Sequence, residues 1–169
     1  WEWMMSLGYH IKHKGYGIYR PIANPYFDAL IKRIRSRHDA YMIPQKESVS
    51  IIKNKEASGE LSIYGFASDH RLGQTVDLLE VFFGGSCPCV EGAERLAIEL
   101  DVPVVFAKIK RVERGYYELE FKTLTDQPKS LKKNEITDLF TEWLEAQIKE
   151  DPSQYFWTHK RFKYAKNEV

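Results

Sequence analysis

An α/β sandwich, with a mostly parallel sheet flanked by helices, is what these 169 residues predict. Three observations carry that expectation. Strand-like and helix-like segments alternate from one end to the other. The run LSIYGFA (61–67) is β-branched and aromatic with little polarity, as a strand buried on both faces requires. Two segments carry apolar residues at helical spacing: Phe27, Leu30, Ile31 and Ile34, then Ile136, Leu139, Phe140, Trp143, Leu144 and Ile148.

Taken in order, Trp1, Met4, Met5 and Gly8 follow helical spacing, so residues 1–14 read as a helix stopped by Gly15. Residues 16–22 (YGIYRPI) read as extended. Asn24-Pro25 starts a second helix, because Pro is pre-set for the first turn and gives up no needed N–H there. Arg33 and Arg37 lie on one flank of its stripe and Arg35 on the other. AYMIP (40–44) reads as a short strand, and 46–57 as a helix closing near Gly59. The 61–67 strand is expected at the centre of the sheet and leads into Ser68-Asp69-His70. A long loop, 71–89, surrounds a possible strand in VDLLEVFF. Helix 91–100 is rich in small residues, and strands 103–109 and 116–122 meet at an Arg114-Gly115 turn. Asn134 reads as the cap of the last helix, which Asp151-Pro152 ends.

Composition narrows the function. Apolar residues make up 43% and charged residues 29%, which suits a soluble globular domain. No run approaches the about 18 apolar residues of a membrane span. Cys87 and Cys89 are too close for an easy mutual disulfide and have no second Cys or His pair to complete a zinc site. Net charge is +1, so nothing general points to nucleic acid. The charge is uneven, however: +4 over residues 1–40, −6 over 41–151 and +3 over 152–169. Basic ends suggest a face that meets anions.

Five pieces occur in one order: WEW, GIYRPIANPYFDALIKRIRSR, YGFASDH, then FFGG with EGAERLA and VPVVFAKIKR, and last DPSQYFWTHKRFK. Together they make nearly the whole chain resemble the late acyltransferases of bacterial lipid A biosynthesis, the lauroyl and myristoyl transferase family. The resemblance implies an acyltransferase-like sandwich forming one domain over 1–169, short of its N-terminal part. It implies transfer of a fatty acyl group from an acyl carrier protein thioester to a hydroxyl of a lipid A precursor. The expected place is the cytoplasmic face of the inner membrane, with no metal or organic cofactor and no nucleic acid partner. The acceptor stays open, since an aminolipid or lysophospholipid fits the same chemistry. A non-catalytic module that binds anionic lipid is the reading from another class.

The family's signature is a His, four residues, then an acid, and Glu2 corresponds to the acid. The His would stand ahead of Trp1. Five residues after His10, His13, His38, His70 and His159 come Gly15, Ile18, Ile43, Thr75 and Tyr164, so no other position rebuilds the pair. The expectation is a chain that starts within the motif and is inactive alone. Such a carboxylate fixes the imidazole tautomer and raises its basicity, and the imidazole takes the proton of an alcohol too weakly acidic to attack unaided. Without that partner, Glu2 is a helix-dipole contact.

Arg33 is the expected site arginine, with Arg35 as the substitute; either guanidinium can hold a phosphate of the acceptor or place the thioester. Otherwise both are solvated flank residues. Arg20 lines the same groove or is surface. Asp69 matches the acid closing the family's YGFASDH strand, and is otherwise a turn residue. His70 beside it is a substrate contact or plain loop. In the closing cluster, His159 and Arg161 contact anionic lipid or the acidic carrier protein, or else seal the sheet edge.

Overall fold

The computed structural model describes residues 2–68, 79–88 and 91–159. The fold is mixed α/β with a parallel sheet flanked by helices, and the chain divides into two compact units, Trp1–Ala67 and Ser68–Val169.

In the first unit, strands β1 (Lys14–Tyr19), β2 (Ala40–Pro44) and β3 (Ser62–Gly65) form a parallel sheet in the order β2-β1-β3. The central strand is therefore β1, and the 61–67 strand expected at the centre lies at an edge of this sheet. The order follows from pairing: β1 bonds to β2 on one side and β3 on the other. Gly17 leaves room for Met42 and Met5 to close over the middle strand, at a point where a Cβ would already touch the Met42 sulfur at 3.4 Å. Pairing sets Tyr41, Tyr16 and Tyr64 abreast on one face, with ring centroids 5.3 Å and 5.7 Å apart. Helix α2 (Ser48–Ala57) covers that face: Lys55 stands 5.0 Å above the Tyr16 ring and the Tyr64 hydroxyl donates to Glu56 at 2.9 Å. Tyr19 alternates to the other face, where Lys32 of α1 (Pro25–Arg35) sits 5.3 Å above its ring.

The expected helix over 1–14 is shorter and tighter. A 3₁₀ helix runs Glu2–Tyr9, and Lys14 has already joined β1, donating its N–H to Leu61 O at 2.9 Å. Gly8 passes so close to the turn before β2 that any Cβ would collide with the His38 carbonyl. That close pass, which no local pattern shows, is where the first turns give way.

In the second unit the strands pair antiparallel. β4 (Leu79–Phe82) and β5 (Gly85–Pro88) form one hairpin, β6 (Val104–Glu113) and β7 (Tyr116–Thr125) a longer one. The second hairpin turns at Arg114-Gly115 as expected, with Gly115 at φ 85°, where a side chain would be strained. Helix α4 (Glu135–Glu150) supplies the core with Leu144 and Ile148, which meet Phe82 and Phe106; Trp143 and Phe140 pack against them. Helix α3 (Gly92–Leu100) joins α4 through a buried carboxylate. Glu94 accepts from the backbone N–H of Asn134 and Thr137 and from the Thr137 hydroxyl. Asn134 itself, at φ 75°, makes no side-chain cap. The cap expected from Asn134 is thus delivered by Glu94, forty residues earlier. Among the described residues no helix is long and apolar enough to cross a membrane.

Candidate active site

In a parallel sheet, side chains that do chemistry gather where strands end and loops begin. In the first unit that edge follows Tyr19, Pro44 and Gly65. Arg20 is the first residue beyond β1 and is exposed. Residues 66–68 leave β3 at the same edge and lead toward Asp69.

The crossover from β1 to α1 is held by its own polar groups. Asn24 Oδ1 accepts from the N–H groups of Tyr26 (3.0 Å) and Phe27 (3.2 Å), which otherwise end a helix unsatisfied. Asp28 accepts from Ile22 N–H at 2.8 Å and pairs with Lys32 at 2.9 Å. The Ile22 N–H, and then the Lys32 ammonium, hold the Asp28 carboxyl below its usual range. The Tyr19 phenol, and then Asp28, hold Lys32 firmly protonated. Tyr19 is buried while Lys32 remains partly open, so a permanent cation stands beside the end of β1. Neither Lys32 nor Asp28 was among the expected site residues. Their signal was there: an Asp in the first turn with a Lys four residues on.

Arg33 is exposed and Arg35 half-buried, both in the last turn of α1. A helix linking two parallel strands runs back along the sheet. Eight residues of helical rise therefore carry Arg33 about 12 Å from the start of α1, away from the edge where Arg20 stands. Its long side chain leans toward the helix N-terminus and recovers part of that distance. Arg20, Arg33 and Arg35 thus share one crossover.

His159 belongs to the second unit. It is half-buried, with its Nδ1 shielded from solvent and its backbone N–H donating to Phe156 O at 3.0 Å. Glu2 opens the 3₁₀ helix, and its carboxylate lies outside what the structure describes. Asp69, His70 and Arg161 lie outside the described residues.

Among the described residues of the first unit, a strongly perturbed carboxyl stands elsewhere, beside the starts of β1 and β3. Glu60 accepts from Lys14 (2.7 Å) and Tyr16 (2.6 Å) and pairs with Lys55 at 3.0 Å. Those three donors, Lys14 first, hold it at about 2. With Lys14 and Tyr16 of β1, Ser62 of β3 and Lys55 of α2 all on this carboxylate, Glu60 ties the strands to α2.

The sequence profile described as bacterial lipid A biosynthesis acyltransferase matches residues 1–164. A curated lipid A biosynthesis acyltransferase of Haemophilus influenzae is 27% identical over 165 residues, covering 96% of this chain and 51% of its own length. The chain therefore spans about half the length of that relative.

Proposed function

The chain belongs to the bacterial lipid A biosynthesis acyltransferase family, and from that premise we propose that it carries part of an acyltransferase active site. One observation carries the reading. The family match runs without a break across both compact units, from the 3₁₀ helix through the parallel sheet to the closing segment. We take the two units as one catalytic domain on that ground.

In this reading Glu2 is the acid of the His-x4-Glu signature and orients an imidazole five positions ahead of it. The imidazole takes the proton of the acceptor hydroxyl, and the oxygen attacks the thioester carbonyl. The C–S bond breaks, the acyl group stays on the acceptor oxygen, and the carrier's thiolate recovers the proton. Arg33 or Arg35, with Arg20, meets acceptor phosphate, and Lys32 adds a fixed positive charge beside them. Asp69 and His70, which follow β3 in the sequence, remain candidates for the same chemistry, and His159 and Arg161 remain candidates for contact with donor or acceptor. The donor is acyl carrier protein, the acceptor a lipid A precursor, and the place the cytoplasmic face of the inner membrane.

The test is acyl transfer by the complete protein, with acyl carrier protein thioester as donor and a lipid A precursor as acceptor. Glu2→Gln is expected to lower kcat on the order of 100-fold, since it leaves the imidazole unoriented. An unchanged kcat would remove Glu2 from the mechanism. A lysophospholipid acceptor run in parallel separates the runner-up: faster transfer to it reassigns the acceptor and keeps the chemistry.

A further inference from the structure

The β4–β5 hairpin holds an outlier. Phe82 pairs with Gly85, so Phe83 and Gly84 are a two-residue turn, and both have positive φ, 49° and 77°. Turns of this kind select Asn-Gly, because a Cβ at the first position crowds the backbone. A phenylalanine there is strained, and strain that persists is compensated by its surroundings. Glu145 supplies the compensation by accepting the Phe83 N–H at 2.6 Å. Phe82 fills the core at 1% exposure, while Phe83, edge-on to it with ring centroids 4.8 Å apart, is 39% exposed.

Phe83 also meets Trp157. Their ring centroids are 6.2 Å apart, and Tyr155 backs the indole at 5.0 Å. The indole N–H is already used, donating to Pro152 O at 2.6 Å, so the remaining face of Trp157 is apolar. Trp157 is 56% exposed and its neighbour Phe156 63%. Residues 155–158 carry no charge, and Lys149 stands beside the cluster. Lys149 lies 5.4 Å above the Phe83 ring, pairs with Glu145 at 3.2 Å and is mostly in solvent. The sequence after His159 continues Lys160-Arg161-Phe162-Lys163.

We propose that Phe83, Phe156 and Trp157 form an aromatic ledge by which this protein seats on an anionic lipid surface. Rings with a satisfied polar handle, beside the Lys149 ammonium and followed in sequence by Lys160, Arg161 and Lys163, match the headgroup boundary of a bilayer, where aromatics enter and Lys or Arg meets lipid phosphate. An acidic protein surface matches the cations but leaves three exposed rings uncovered. The inference rests on the proposed membrane-surface acyltransferase, and specifies which face sits down.

The test uses the complete protein and vesicles of phosphatidylethanolamine and phosphatidylglycerol with brominated acyl chains. Bromine quenches only indoles that enter the lipid, so the difference between wild type and Trp157→Phe isolates Trp157. The ledge predicts clear quenching that Trp157→Phe removes, and less of it in vesicles of phosphatidylcholine alone. Equal quenching in both proteins overturns it. Phe83→Asn suits the turn, so the melting temperature is expected to hold or rise, while half-saturation with vesicles moves about fivefold higher. A lower melting temperature with unchanged vesicle binding assigns Phe83 to packing and overturns the ledge. Binding that survives both substitutions overturns the ledge and leaves the membrane reading standing; no binding by wild type defeats both. Protection of Trp157 by lipid-free acyl carrier protein, with no quenching in vesicles, makes the partner a protein.

Discussion

In Trp1–Ala67 the side chains that bridge neighbouring strands are phenols, and their hydroxyls end on carboxylates: Tyr16 on Glu60, Tyr64 on Glu56. In Ser68–Val169 the corresponding places belong to Phe82 and Phe106, closed over by Leu144 and Ile148 of α4. The first unit is tied by charge-assisted hydrogen bonds at half-buried positions, the second by apolar area removed from water. The difference teaches that the two halves should answer to different stresses. Acid and alkali act on the first. Loss of volume acts on the second.

The largest expected effect is Phe82→Ala. At 1% exposure the ring leaves a cavity that hairpin and helix cannot fully close, and unfolding stability should fall by about 3–5 kcal/mol. Urea midpoints measured across pH would show nearly the same loss everywhere. A loss that varies steeply with pH would break the contrast.

Next comes Glu94→Ala, which probes the polar exception inside the apolar unit. Glu94 is 5% exposed and satisfies two backbone N–H groups at the start of α4. Removing it strands those donors and the Thr137 hydroxyl, for a loss of about 2–3 kcal/mol. Hydrogen exchange should localise the opening to the first turn of α4. Exchange that speeds equally along the whole helix would mean that Glu94 acts through the core instead.

Smaller effects test the first unit. Glu60 is held at about 2 against its usual 4.5, chiefly by Lys14. As pH falls from 4.5 toward 2, the unfolded chain takes up this proton before the folded one. The stability Glu60 contributes is therefore complete above 4.5 and lost through that window. Glu60→Gln should flatten the acid limb of the melting curve there. Burial pushes the Tyr64 phenol up to about 12 from its usual 10, so its contribution is complete below 10 and lost between 10 and 12. Tyr64→Phe should soften the alkaline limb, with the smallest shift of the set. Limbs left untouched by both substitutions would place the pH sensitivity outside this network.

Much of the molecule was legible along the chain. Asn24-Pro25 marked the start of α1, and AYMIP coincides with β2. The Arg114-Gly115 turn and the apolar stripe of α4 stand where their residues put them. Each of these depends on groups within a few residues of one another, through capping, a fixed proline φ or a helical period. The family, too, was readable in ordered fragments. The helix that carries Arg33 and Arg35 was legible, while the Lys32–Asp28 pair beside Tyr19 was not singled out.

Three features were settled only when distant segments met. β1 took the centre of the sheet by pairing with β2 on one side and β3 on the other, a choice between segments far apart in sequence. Residues 1–14 did not continue as one helix because Gly8 runs against the His38 carbonyl and Lys14 is drawn to Leu61. The α4 N-terminus took its cap from Glu94 in α3. Composition and spacing describe what a residue can do near itself. Which residue fills a gap or meets an orphan donor tens of positions away is decided by packing, and packing belongs to the folded chain alone.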